Sequence, residues 1–180
     1  MKIAIVQFNP VVGNIVGNAN RIIEFCRQAQ QKGAAAIVFP ELAITGYPPE
    51  DLLLRPDFIS KVEYELDNIA NQFPMLNVIL GYPERGEGGL FNSVAVLHDG
   101  KLTANYRKQQ LPNYGVFDEK RYFEAGTSPC VVEIQGVMFG ITVCEDIWTA
   151  GACIQSKNAG AEVIINLNAS PFELNKLDKR

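Results

Sequence analysis

Histidine is nearly absent from this chain, whose 180 residues contain one, His98. The four cysteines, Cys26, Cys130, Cys144 and Cys153, include no C-x-x-C pair. Without such a pair or a second histidine, no zinc ligand set can be assembled at the usual spacings, and no metal site is expected. No G-x-x-x-x-G-K-[ST] follows a strand, so Gly86, Gly88 and Gly89 read as a mobile connection rather than a phosphate cradle. Long apolar runs are missing too: none reaches the roughly 18 residues of a membrane span. The first strand starts almost at Met1, which leaves no room for a secretory leader. Basic residues are scattered and the net charge is −4, which argues against nucleic acid or an anionic membrane as the main partner. A reduced, cytoplasmic enzyme is the class these absences leave.

What is present fits one α/β domain with a mixed sheet. Hydrophobic residues make up 47% and charged residues 20%, the balance of an ordinary globular chain able to bury a core. Lys2 to Phe8 and Ala35 to Phe39 are nearly continuous apolar runs, as in strands covered on both faces. Between them a helix is predicted with Asn18 as N-cap, Ile22, Ile23, Cys26, Ala29 and Gln30 on its inner stripe, and Gly33 as its stop. A second helix is predicted from about Asp57 to Phe73, carrying Ile59, Val62, Leu66 and Ile69 on one face. Strands follow at Leu76–Leu80, Phe91–Leu97, Leu102–Tyr106, Val131–Ile134, Val137–Cys144 and Val163–Leu167, with a short helix over Thr149–Asn158. His98-Asp99-Gly100-Lys101 reads as a hairpin tip, Gln135-Gly136 as a second turn, and Glu84 to Gly89 as a mobile segment.

Three reactive side chains stand just beyond apolar runs. Glu41 follows Ile37-Val38-Phe39-Pro40, Lys108 follows Tyr106-Arg107, and Cys144 follows Ile141-Thr142-Val143. Strand ends are where layered α/β proteins usually meet ligands. A carboxylate, an ammonium and a thiol gathered there would form a nucleophile with its own base and oxyanion partner. Each also has a plainer reading: Cys144 as buried filler, Glu41 as a cap for the next turn, Lys108 as half of a solvated basic pair with Arg107. For Cys144 the switch into Glu145-Asp146-Ile147-Trp148 favours a partly exposed, activated thiol. For Glu41 the apolar Phe39-Pro40-Glu41-Leu42 context suits a general base. Cys26, Cys130 and Cys153 read as structural. His98, at a turn, reads as a surface residue, which disfavours a Cys–His mechanism.

At these residues the chain resembles the nitrilase, or carbon–nitrogen hydrolase, superfamily from Met1 to about Lys176. That family's Glu-Lys-Cys set falls on Glu41, Lys108 and Cys144, spaced by 67 and 36 residues. Three further runs are similar to the glutamine-amidase domains of glutamine-dependent NAD synthetases. They are Glu41 to Leu53 (with Pro48-Pro49-Glu50-Asp51-Leu52-Leu53), Leu111 to Glu119 (with Asn113-Tyr114-Gly115-Val116-Phe117-Asp118-Glu119) and Cys144-Glu145-Asp146-Ile147-Trp148. The resemblance implies an α-β-β-α sandwich. It implies attack by Cys144 on the side-chain amide of glutamine, Glu41 as base and then acid, and an oxyanion held by Lys108 and the Glu145 N–H. Glu119 matches the family's second glutamate, expected to orient the lysine. Tyr114, Ser170 and Lys176 match positions that hold the substrate amino acid, and Phe117 and Glu145 are expected to shape its pocket. Core packing is the plainer account of Tyr114 and Phe117, and a loop hydrogen bond that of Ser170.

The chain also departs from that pattern. Such synthetases carry a second half that binds ATP with magnesium and deamido-NAD, and no S-G-G-x-D-S nucleotide motif occurs here. The sandwich itself normally continues past this point, so residues 1–180 are expected to be an incomplete amidase domain lacking the synthetase domain. A homo-oligomer is implied by the resemblance alone. A free-standing amidase for another small amide, and a non-catalytic module whose open sheet edges invite pairing, are the competing readings.

Overall fold

In a computed structural model, residues 1–171 and 174 are described. Their strands and helices alternate as β1 (Ile3–Ile5), α1 (Ile15–Gln31), β2 (Ala36–Val38), α2 (Pro56–Gln72), β3 (Asn77–Gly86), β4 (Gly89–His98), β5 (Lys101–Arg107), β6 (Cys130–Ile134), β7 (Val137–Val143), α3 (Ala150–Asn158) and β8 (Val163–Leu167). The strands form two sheets, ordered β1-β2-β3-β4-β5 and β6-β7-β8. Both are mixed: β1, β2 and β3 run parallel while β3, β4 and β5 form an antiparallel meander, and β7 pairs antiparallel with β6 but parallel with β8.

Side-chain alternation explains how two sheets and three helices make four layers. In β2 the flanking Ala36 and Val38 turn toward the second sheet, meeting Ile141, Val143 and Leu167, while Ile37 turns toward Ile22, Cys26 and Ile69 of the helices. The same split recurs in β3, between Val78 or Leu80 and Ile79, and in β4, between Ala95 and Val94 or Val96. Runs apolar at every position are what a sheet covered on both faces requires. On the far side α3 packs over β7, where Gly140 lies beneath Ser156.

Several local expectations need correction. The first strand is Ile3–Ile5 rather than Lys2–Phe8, although the Val6 N–H still reaches the Val38 carbonyl at 2.9 Å. The N-cap of α1 is Asn14, whose Oδ1 accepts from the Gly17 N–H at 3.1 Å. Asn18 lies inside the helix, buried, and bonds Val11 and the Ile44 carbonyl of the loop beyond β2. Gln30 is exposed rather than on the inner stripe. The expected mobile segment at Glu84–Gly89 is ladder instead, paired out to Gly86 and Gly89. Gly86, Gly88 and Gly89 suggested a loop, and Pro83 lies just before them. However, β3 pairs with β2 only through Ile79, and a strand with one free edge tolerates proline. The tip at Asp99-Gly100 is as expected, with φ of +53° and +73°, the conformation of a tight hairpin turn.

Candidate active site

Each reactive residue is set by the end of one strand. Beyond β2 the chain turns sharply at Leu42, with φ of +47°, so that Glu41 stays over the sheet while Leu42, Ala43 and Ile44 enter the core. Gly81 of β3 lies directly beneath. A Cβ there would stand 2.3 Å from the Leu42 nitrogen and 2.7 Å from the Glu41 Cα, so only glycine admits this approach. At the end of β5, the Lys108 N–H donates to the Asn92 carbonyl at 2.9 Å, and the Lys108 carbonyl accepts from the Gly126 N–H at 2.8 Å. The strand β7 ends at Val143, one residue before the expected end. Cys144 opens a short helical turn, Cys144–Ile147, with φ of +47°. For a residue with a side chain that is a strained conformation, costing on the order of 1–3 kcal/mol, and it persists only where the surroundings impose it.

Asp146 imposes it. Its carboxylate is fully buried, with Oδ2 accepting from the Val143 N–H at 3.0 Å and the Tyr106 hydroxyl at 2.8 Å. Oδ1 accepts from the N–H groups of Gln109 and Gln110 at 3.0 and 2.8 Å. One side chain thus ties the Cys144 turn to the segment that follows Lys108.

The three predicted residues meet with Glu119. Lys108 Nζ lies 2.7 Å from Glu41 Oε1 and 2.8 Å from Glu119 Oε1, and all three groups are almost wholly buried. Burial alone would lower the lysine's pKa, but the two carboxylates outweigh it and hold the ammonium charged. Burial, then the charge of Glu41, pushes the Glu119 carboxyl above its usual range against the pull of Lys108. The Cys144 thiol lies within reach of this cluster: burial first, then the charge of and a hydrogen bond to Glu41, pushes it up to about 12 against the opposing effect of Lys108. The expectation of a partly exposed thiol is corrected by this burial, while the carboxylate and ammonium expected beside it are there. Cys144 is 9% exposed and rests as a thiol, to be ionised only as its proton leaves.

Around this cluster lie residues that the sequence reading passed over. The Tyr47 hydroxyl donates to Glu119 Oε1 at 2.8 Å, Asn92 Nδ2 donates to Glu41 Oε1 at 2.8 Å, and the Ala169 N–H donates to Glu41 Oε2 at 3.1 Å. Asn166 Nδ2 reaches the Cys144 carbonyl at 3.4 Å. A signal existed for Asn92, a polar residue within an apolar strand, since a buried polar group is the informative exception. Of the expected pocket residues, Tyr114 donates to Glu145 Oε2 at 2.7 Å, and that hydrogen bond pushes its phenol up to about 12. Its ring meets Phe117 at 5.6 Å, and Phe117 meets Tyr47 at 6.3 Å, so an aromatic path runs inward from the exposed Tyr114 toward Glu119. Ser170 is half-buried and follows Ala169, whose N–H holds Glu41. Lys176 lies outside the described residues. His98 is half-buried at the end of β4, on a separate strand end from Cys144.

A buried thiol beside a carboxylate, with an ammonium clasped by two acids, is an arrangement suited to covalent attack on an electrophilic carbon. The sequence profile of the carbon-nitrogen hydrolase family matches residues 2–179. The chain belongs to that family. It is 44% identical over 183 aligned residues to a glutamine-dependent NAD(+) synthetase of Xanthomonas campestris, covering 100% of this chain and 33% of the relative. A glutamine-dependent NAD(+) synthetase of Thermotoga maritima is 40% identical over 180 residues, covering 98% and 31%. Among solved structures, the glutamine-dependent NAD+ synthetase of Acinetobacter baumannii in complex with ADP superposes with a TM-score of 0.94 at 38% identity, over 99% of this chain and 34% of that one. An amidase of the nitrilase superfamily from Nesterenkonia AN1 superposes at 0.86 with 22% identity, covering 99% and 69%, and shares the fold. The nitrilase-like sandwich that the family resemblance implied is thus borne out. The chain spans about a third of the length of the synthetases it matches.

Proposed function

We propose that this chain is the glutamine-hydrolysing portion of a glutamine-dependent NAD synthetase, releasing ammonia for the ATP-dependent amidation of deamido-NAD. One observation carries the reading: Lys108 Nζ is clasped by Glu41 and Glu119 within reach of the Cys144 thiol, in a chain similar to such synthetases along its whole length.

Glu41 takes the thiol proton as Sγ attacks the amide carbon of glutamine. An ammonium has three N–H donors, and two of those on Lys108 are engaged by the carboxylates, which leaves one for the developing oxyanion. The N–H of Glu145, at the first turn of Cys144–Ile147, is the second oxyanion donor. Glu41 returns the proton to the nitrogen, since ammonia leaves readily only once the nitrogen is protonated, and the thioester forms. Glu41 then draws a proton from water, which attacks the thioester; the C–S bond breaks, glutamate is freed, and Glu41 gives the proton to the departing Cys144 sulfur. Glu119 and Tyr47 hold the lysine in place. Tyr114, Ser170 and Lys176 hold the amino-acid end of glutamine, while Phe117 and Glu145 shape the pocket wall.

Residues 1–180 serve as the amidase portion, partnered by a synthetase portion of the same parent protein in the cytoplasm. Among the described residues no group of His, Cys, Asp or Glu side chains is arranged to hold a metal ion, and no helix is long and apolar enough to cross a membrane. With no phosphate cradle after a strand either, these residues do not fit ATP, magnesium or deamido-NAD. Those ligands are assigned to the synthetase portion, and no step here runs through them. Exposed Val116, Ile147 and Trp148, on segments joined by the Tyr114–Glu145 bond, support assembly into a homo-oligomer.

The test is ammonia release by the complete encoded protein offered glutamine, acetamide or a simple nitrile. Glutamine alone is expected to react, with loss of at least about a thousandfold in Cys144→Ala. Release from acetamide or the nitrile with glutamine untouched would show a free-standing amidase instead, and undiminished release by Cys144→Ala would remove the thiol from the chemistry.

A further inference from the structure

Asn92 touches both charged partners of the site. Its backbone carbonyl receives the Lys108 N–H at 2.9 Å, which extends the β4–β5 ladder one residue past the Ser93–Arg107 pair. Its side chain donates Nδ2 to Glu41 Oε1 at 2.8 Å. The residue is 1% exposed, and its Oδ1 is buried without a hydrogen-bond partner among the described residues. An acceptor left unpaired in the interior is costly, so an amide here calls for a reason beyond filling space.

We propose that Asn92 is a positioning residue that fixes which oxygen of Glu41 carries the proton. This rests on the reading of Glu41 as the base. Each carboxylate oxygen has two lone pairs. Those of Oε1 are taken by Lys108 Nζ and Asn92 Nδ2, whereas Oε2 accepts the Ala169 N–H, which leaves its second lone pair for the Cys144 thiol that also reaches Glu41. The free lone pair therefore belongs to Oε2. When the reaction starts, the Cys144 S–H bond breaks and an O–H bond forms at Oε2, giving thiolate and carboxylic acid. Both donors on Oε1 can stay where they are throughout. A neutral amide suits this position better than a second cation, which would hold the carboxylate ionised and weaken it as a base. Without the amide, Oε1 keeps the ammonium of Lys108, which Glu119 shares, and Oε2 keeps the Ala169 N–H. The carboxylate is then less firmly oriented, and its two oxygens compete for the place facing the thiol.

Asn92→Leu keeps the branched outline of the side chain at the cost of some added bulk and removes the donor, while Asn92→Ser serves where leucine prevents folding. In the complete encoded protein, kcat for ammonia release from glutamine is expected to fall about 10- to 100-fold in the variant, with KM within about threefold. The second-order rate of Cys144 alkylation by iodoacetamide, read by intact mass, should fall in parallel. That rate requires no glutamine turnover, so it tests Asn92 even if the proposed substrate is wrong. In a Glu41→Gln background the Asn92 substitution should add nothing further, because it acts through the carboxylate. Wild-type kcat and alkylation rates in a folded Asn92 variant, or an equal loss in the Glu41→Gln background, would overturn the proposal.

Discussion

Replacing Asp146 with asparagine tests whether the strained turn at Cys144 is held from outside. The side chains are nearly isosteric, so packing is kept and only the hydrogen bonding changes. Asparagine has one accepting oxygen where Asp146 has two, each receiving two donors. The better orientation places the oxygen on the Gln109 and Gln110 N–H groups, because the reverse turns an NH2 against two backbone donors. In that orientation the Tyr106 hydroxyl rotates and accepts from the new NH2, so its bond survives. The Val143 N–H, however, faces a donor. One buried donor is orphaned and a charge-assisted acceptor lost, together about 2–3 kcal/mol. The loss falls on the residue before Cys144, whose φ of +47° then lacks its restraint. Glutamine turnover should therefore drop about 10- to 100-fold, the usual consequence of misplacing a nucleophile by an ångström. Urea unfolding of the complete protein measures the first effect and ammonia release the second. A Tyr106→Phe variant, which leaves three donors on Asp146, should lose about 1 kcal/mol and keep most of its activity. Asp146→Asn with an unfolding midpoint and turnover equal to the wild type would refute the assignment of this side chain as the anchor of the turn.

Two further outcomes are expected. Gly81→Ala puts a methyl group 2.3 Å from the Leu42 nitrogen, so β3 and the Glu41 loop must separate. Destabilisation of about 3 kcal/mol, with loss of Cys144 alkylation, should appear in thermal unfolding and intact mass, whereas a wild-type melting temperature would contradict the close approach. Glu84 governs an acid limb of stability. Burial opposes its ionisation, yet hydrogen bonds from Arg107, Ser93 and Asn105 hold its carboxyl below the usual range. A depressed folded pKa gives stability that is present above the unfolded value, about 4.3, and is lost as pH falls through the folded one. Urea midpoints measured from pH 7 down to pH 3 should fall less steeply in Glu84→Gln than in the wild type, and identical slopes would deny Glu84 that role.

The strand ends were legible in the sequence because burial on both faces leaves runs such as Ala36-Ile37-Val38 without a polar position. A polar residue that ends such a run is then easy to see, and Glu41, Lys108 and Cys144 were found that way. Pairing was less legible. Gly86, Gly88 and Gly89 read as a loop because local propensity cannot register that β2 stops at Val38, opposite Ile79, and leaves the rest of β3 a free edge. The cap of α1 was misplaced for a related reason. Asn14 and Asn18 both suit a helix start, and what separates them is a tertiary demand: Asn18 is drawn inside to satisfy Val11 and Ile44.

The residues that hold the site were the hardest to read, and the cause is physical. Glu41 and Cys144 each adjoin or adopt a left-handed backbone, at Leu42 and at Cys144 itself, and neither position carries the glycine that would have announced it. Local sequence preference opposes these turns, so the restraint must come from elsewhere in the chain. It comes from Asp146 on Val143 and from Gly81 beneath Leu42, contacts whose meaning depends on which strands lie side by side. A carboxylate two residues past a cysteine is ordinary in a sequence. It becomes a clamp only once β5 brings Gln109 and Gln110 to its other oxygen. Strain at Cys144 and the concentration of buried polar bonds around it are therefore one feature, because a turn that the local sequence disfavours keeps its shape only where distant donors converge on it.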